Sequence, residues 1–253
     1  MIFERFKNSH CIYYAFLTAY YTGLRISEVF GLTWEDIDLE NKTLRVDRNI
    51  VKKNQEGGTK RRLIKGQSTA VWYFGPCKTP ACYRTIDIGD TLVKALKDFK
   101  EEQEIYKEQY GDMYMKHYAK EVINPYTKKP EIKIVSAHAE IEVALPEVHL
   151  VFVKNNGNFE GNDTCKYPFK VIHYELGIPC RFHDFRDTHA TRLIEAGADI
   201  KAVSKRLGHS TIETTYNIYV RVTVQMEEEV VSKFEDYADS LEINILRKPK
   251  ESV

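Results

Sequence analysis

Residues 8–20 are rich in aromatics and alanine with no breaker, which predicts a buried helix that Gly23 interrupts. Residues 25–31 predict a second, short helix, with Ile26, Val29 and Phe30 apolar against polar Ser27 and Glu28. Apolar and polar positions alternate over 43–51, as in a strand, and QEGGTK at 55–60 predicts a turn. Residues 69–74 and 82–88 are strand-like, separated by GPCKTPA, whose two prolines mark a turn. Together these segments predict a small antiparallel sheet. Residues 90–109 predict a helix, with Asp90 as N-cap and apolar positions at 92, 93, 96 and 99.

Residues 110–165 show mixed turns and one short strand, at 148–153 (VHLVFV). Beyond them the pattern is helical: 164–176, 183–196 stopped at Gly197, 199–207 stopped at Gly208, 211–221, and a last acidic helix. That last segment places Val230, Val231, Phe234, Tyr237, Ala238 and Leu241 at helical spacing, so it docks on its own core or on a neighbouring subunit. The predicted fold class is α+β, mainly α-helical with a small antiparallel sheet near the N-terminus.

Composition fits a folded, water-soluble chain: 253 residues, 43% hydrophobic and 29% charged, with 37 Lys+Arg against 37 Asp+Glu. No run approaches the ~18–20 apolar residues of a membrane span, and the first residues lack the apolar region of a secretory signal. The five cysteines, Cys11, Cys77, Cys82, Cys165 and Cys180, form no CxxC pair, so neither a disulfide framework nor a zinc ribbon is indicated. Reduced, intracellular thiols are the expectation.

A net charge of zero argues against a wholly basic nucleic-acid binder but not against a local patch. Residues 42–66 carry nine Lys/Arg and two acids, and residues 222–246 carry seven acids and one Lys. The basic, Gly-containing stretch suits phosphates, and equally a solvated hairpin tip. Lys52, Lys53, Lys60, Arg61, Arg62 and Lys65 are the candidate DNA contacts within it.

Four places carry candidate chemistry. Arg25 in TGLRISE stands in an apolar stretch, where pairing with Glu28 is the structural alternative. His183 and Arg186 sit three apart at a helix start, a spacing that brings imidazole and guanidinium to nearly one face, as a phosphate needs. His209 in LGHS follows a Gly208 helix cap, and Tyr216 and Tyr219 lie in TTYNIYV. A metal site built from His183, Asp184, His189 and His209 has no recognised ligand spacing.

In this order and spacing, TGLRISE, HxxR, LGH and a tyrosine ten residues later resemble the tyrosine recombinases, or phage-integrase family, over nearly the whole chain. The texture is similar to integrases of phages and conjugative transposons from Gram-positive bacteria. The resemblance implies a site-specific DNA recombinase that integrates or excises a mobile element. Tyr219 would attack a phosphodiester and form a 3′-phosphotyrosyl link, with Tyr216 the competitor. Arg25 and Arg186 would clamp the non-bridging oxygens. His183 would accept the tyrosine proton or donate a hydrogen bond to the phosphate, and His209 would donate another. Lys78 in CKTPACYRTIDI would be the general acid for the leaving oxygen, with Lys65 the other candidate.

Exchange of one ester for another requires neither ATP nor a metal, so no cofactor is implied, and QEGGTK lacks phosphate-loop spacing. The implied partners are double-stranded attachment or crossover sites, three further protomers in a tetramer, and accessory excision or DNA-bending proteins, with no membrane. The implied location is the bacterial cytoplasm, at nucleoid DNA. Residues 1–225 would form the catalytic domain and 226–253 an acidic helix and tail docking in cis or in trans. The arm-binding and core-binding domains usual before this region are absent from this chain, as in a fragment or truncated product. Departures from the family pattern are Cys82 where Ser is usual, Asp187 and Arg221 where His is common, and a long stretch at 52–76. Resolution of chromosome dimers, a type IB topoisomerase-like relaxing activity, and a non-catalytic regulator derived from an integrase are the competing functions. The complete set of site residues argues against the last.

Overall fold

The structure, a computed structural model, describes residues 1–54, 70–77, 79–124, 126–159 and 161–240. It opens with α1 (Ile2–Phe6), α2 (His10–Thr22) and α3 (Ile26–Val29), followed by β1 (Ile37–Asp38), β2 (Thr43–Val46), β3 (Arg48–Asn54), β4 (Ala70–Pro76) and β5 (Arg84–Asp87). Next come α4 (Asp90–Tyr110), β6 (Met115–Ile123) and β7 (Pro130–His138). Then follow α5 (Lys166–Tyr174), α6 (Phe182–Glu195), α7 (Ile200–Leu207) and α8 (Ile212–Ser240). The mainly helical α+β expectation holds. No helix among the described residues is long and apolar enough to cross a membrane.

Helix α2 is buried on most of its surface because its apolar residues encircle it. Phe16 is fully buried and meets Phe185 at 5.0 Å and Phe169 at 5.4 Å between ring centroids, while Tyr14 stacks on Phe99 at 4.3 Å. Such pairs add about 0.5–1.5 kcal/mol each beyond the area they bury. The helix ends at Gly23, whose φ of +68° is left-handed and whose amide bonds the Ala19 carbonyl. A Cβ there would lie 2.6 Å from Leu207 Cδ2, so α7 packs directly on this backbone. A second, smaller core of Ala190, Ile194, Val203, Leu207 and Ile218 joins α6, α7 and α8.

The described strands form two antiparallel sheets, ordered β1-β2-β5 and β3-β4-β7-β6, in place of the one expected. The strand expected over 43–51 divides at Asp47. Its carboxylate meets Arg48 Nε at 3.0 Å and Arg45 Nε at 3.4 Å, and both arginines also hold the buried Asp36 carboxylate. The chain therefore leaves one sheet and enters the other at an ion-paired corner. The 148–153 run, expected as a strand, is not one, though Leu150–Val153 are buried: Val148 N–H donates to His117 O, Val151 N–H to Leu32 O, and His149 O accepts from Trp34 N–H. Gly89, not Asp90, is the N-cap of α4, and Asp90 takes the first helical position beside Lys42. Finally, the helices expected at 211–221 and in the acidic tail are one, α8, since no Gly or Pro stands between them.

Candidate active site

The ends of five helices, α2, α3, α6, α7 and α8, come together around the site. At their centre lies Arg186, in the first turns of α6 and only 1% exposed. Its Nη1 donates to Gly23 O and its Nη2 to Leu207 O, each at 2.7 Å. One guanidinium thus satisfies the carbonyls at the ends of α2 and α7, groups that a helix terminus otherwise leaves unpaired. Burial and the nearby Arg25 charge push the Arg186 guanidinium down to about 9. His183, one turn earlier, points outward with its side chain 57% exposed, and Asp187 lies 3.7 Å from its Nε2.

Arg25 caps α3 from the loop after Gly23. Its Nη1 donates to Glu28 Oε1 at 2.8 Å, and Glu28 Oε2 accepts from the Arg25 backbone N–H at 2.9 Å. Its other contacts are long, 3.5 Å from Nη2 to Gly208 O and 3.6 Å to Cys82 Sγ. With a side chain 34% exposed, Arg25 is the arginine that faces outward. Arg84, from β5, reaches the same carboxylate: Nη2 to Glu28 Oε2 at 3.0 Å. Burial would raise the Glu28 carboxyl, but the bonds from Arg84 and Arg25 hold it below its ordinary value.

His209 follows Gly208, whose left-handed φ of +68° ends α7. A Cβ on Gly208 would sit 2.8 Å from Ala81 O and 2.9 Å from Arg84 Nη1. Gly208→Ala is therefore expected to cost about 1–3 kcal/mol in urea unfolding, from left-handed strain and displacement of Arg84. His209 Nδ1 lies 2.8 Å from Thr215 Oγ1 on α8. In the tautomer where the threonine hydroxyl donates, His209 Nε2–H is left for an anion.

Burial, then the charges of Arg186 and Arg25, push the His209 imidazole down to about 4, and burial with Arg206 does the same to His189. Both rings are neutral in the folded protein near pH 7, whereas in the unfolded chain they protonate near 6.5. The unfolded chain then binds more protons between those values. Stability is accordingly expected to be fully present above about pH 6.5 and to fall as pH drops toward about 4, as the urea midpoint against pH would show.

The His209–Thr215 contact also orients α8. Tyr219 lies four residues beyond Thr215, on the same side of the helix and one turn along. It is 36% exposed and Tyr216 53%, and their rings stack at 6.1 Å between centroids. Beside His209, between β5 and α7, runs a groove of about 750 Å³ lined by Tyr83, Lys201, Lys205 and Ile212.

The structure thus brings Arg25, Arg186 and His209 together, with His183 and Tyr219 on the flanking turns. Lys78, Lys60, Arg61, Arg62 and Lys65 lie outside the described residues. Lys52 is ion-paired to Asp163 and Lys53 to Glu131 at 2.6 Å. Among the described residues no three His, Cys, Asp or Glu side chains are grouped as metal ligands, and His189 faces Arg206, whose Nε donates to its Nε2 at 3.1 Å. Sequence reasoning missed Arg84 and Thr215 as site residues. Both stand inside quoted motifs, Arg84 in the CKTPACYRTIDI run and Thr215 in TTYNIYV. Position in those motifs was the available signal.

The phage integrase family signature matches residues 2–226. A tyrosine recombinase XerC-like protein of Caldanaerobacter subterraneus subsp. tengcongensis is 31% identical over 225 residues, covering 87% of this chain and 48% of that protein. The ICEBs1 integrase of Bacillus subtilis is 24% identical over 221 residues, covering 87% and 48%. The chain spans about half the length of these relatives. Among solved structures, the Tn1549 transposon integrase in complex with transposon right end DNA superposes with a TM-score of 0.53 at 22% identity, over 87% of this chain and 58% of that one. The XerA recombinase gives 0.53 at 17%, over 90% and 59%. At those identities the two structures speak for the fold.

Proposed function

The chain belongs to the phage integrase family, and on that premise we propose that it cuts and rejoins DNA at specific sites to integrate or excise a mobile element. The observation that carries this reading is the convergence of Arg25, Arg186 and His209, with Tyr219 one helical turn beyond the threonine that bonds His209. Two guanidinium groups, Arg25 and Arg84, pair with the one Glu28 carboxylate, and that of Arg186 stands near them, so the site carries excess positive charge and suits a phosphodiester.

Tyr219 Oη attacks the phosphorus and loses its proton, with His183 as acceptor or as donor to the phosphate. The new bond is Oη–P and the bond that breaks is P–O5′, leaving a 3′-phosphotyrosyl link. Lys78 supplies the proton that the departing 5′-oxygen takes. Arg25 and His209 donate to the non-bridging oxygens while Arg186 holds the helix ends that aim them. A 5′-hydroxyl from the partner strand reverses the sequence.

The substrate is double-stranded DNA in the bacterial cytoplasm, held as a tetramer and, for excision, with accessory proteins. Lys52, Lys53, Lys60, Arg61, Arg62 and Lys65 contact flanking phosphates. Incubating the chain with nicked DNA bearing its attachment site, without added metal, tests the reading: a DNA-linked band on a denaturing gel supports it. No band from this chain on its true site would leave the non-catalytic regulator.

Residues 1–225 act as the catalytic unit and 226–253 as a docking tail on a neighbouring protomer. Val230, Val231, Phe234 and Tyr237 are exposed on α8, the helix that carries Tyr219. Ending the chain at Gln225 is expected to uncouple cleavage from assembly, giving smaller protein–DNA complexes in sedimentation. Unchanged assembly and unchanged activity would contradict docking in trans.

A further inference from the structure

Arg84 has a side chain only 5% exposed, yet its bonds go to segments that carry site residues. Nε donates to Arg206 O at 2.7 Å, two residues before Gly208, and Nη1 donates to Cys82 O at 2.8 Å. Nη2 and Nη1 reach the Glu28 carboxylate at 3.0 Å and 3.4 Å. Glu28, with a side chain 4% exposed, therefore faces two guanidinium groups, one buried and one facing outward.

A buried carboxylate demands compensating charge. Arg84 and Arg25 share that demand, so Arg25 holds Glu28 through Nη1 while its Nη2 makes only a 3.5 Å contact. Were Arg84 lost, Glu28 would have Arg25 as its remaining ion-pair partner and would compete with a phosphate for the same donors. The Arg206 carbonyl would lose its guanidinium donor at the same time, loosening the turn that presents His209.

We propose that Arg84 is a positioning residue, which neutralises Glu28 so that Arg25 is free for the phosphate and which anchors the α7 end before His209. This rests on the recombinase reading, deepening it by a residue that does not touch DNA.

The test is single-turnover cleavage of nicked attachment-site DNA by the full chain, with DNA affinity measured in parallel. Arg84→Met is expected to slow cleavage by about 100-fold with affinity within about 3-fold of wild type. Arg84→Lys, which keeps the charge but not the planar fork, is the variant to read if Arg84→Met fails to fold, with an expected loss of about 10-fold. Adding Glu28→Gln to either variant removes the competing charge and is expected to restore at least about half of the loss on a logarithmic scale. On a scissile methylphosphonate, which lacks one non-bridging oxygen and carries no charge, the Arg84 variants are expected to fall within about 5-fold of wild type. Equal loss on both substrates, together with a double variant slower than either single one, would show a merely structural arginine and overturn the proposal. Failure of the recombinase reading looks different: the wild-type chain itself would form no adduct.

Discussion

Tyr219→Phe is expected to abolish the covalent DNA adduct, lowering cleavage by roughly 10⁴-fold or more, because the nucleophilic oxygen itself is removed. Its free energy of unfolding is expected to stay within about 0.5 kcal/mol of wild type, since the side chain is partly exposed at the surface of α8. Tyr216→Phe is expected to cleave at near the wild-type rate. The two tyrosines stack on each other, so loss of packing affects them alike and only the chemistry separates them. What favours Tyr219 is the helix face. Thr215 is fully buried against His209, and a residue four positions on shares that face whereas Tyr216 is turned away by about 100°. A band lost in Tyr216→Phe and kept in Tyr219→Phe would reverse the assignment.

The second large effect separates two arginines with the same sequence-level role. Arg186→Met is expected to destabilise the chain by about 3–5 kcal/mol, because two carbonyls, Gly23 O and Leu207 O, lose charged donors in a buried site. Arg186→Lys is expected to recover less than half of this, since one ammonium does not reproduce the planar fork. Arg25→Met is expected to cost about 1 kcal/mol or less, as Glu28 keeps Arg84, yet to slow cleavage by about 10²–10³-fold. Urea unfolding paired with single-turnover cleavage checks both. If Arg25→Met destabilised the fold as much as Arg186→Met, the division into an outward-facing clamp and a buried scaffold would be wrong.

That division was not legible in the chain. The HxxR spacing suggested imidazole and guanidinium on nearly one face, but α6 turns His183 outward while Arg186 sinks between helix ends. Burial of an arginine is decided by the carbonyls that α2 and α7 offer, and those come from sequence positions far from it. The helices α6 and α7 were legible from their pattern and their glycine stops, α4 from its apolar period, and α2 from an unbroken aromatic and alanine run that Gly23 ends. Strands β6 and β7 escaped because Lys116, Lys120 and Lys133 sit among apolar residues on a half-exposed sheet, and His117 is buried where a polar residue suggests the outside. Buried histidine was affordable there because Ser136 and Gly157 O bond both ring nitrogens. The 148–153 run shows the converse: an apolar stretch reports burial, but whether it pairs as a strand depends on which edges are vacant beside it.

Trypsin cleavage after Arg206 and Arg221 releases Leu207–Arg221, a single peptide holding His209, Tyr216 and Tyr219. Isolating that peptide from the trapped DNA adduct, trimming the DNA with nuclease and fragmenting it by mass spectrometry locates the phosphonucleotide. A nucleotide mass on Tyr219 is the expected result. Its appearance on Tyr216, or on any residue outside this peptide, would contradict the site described above.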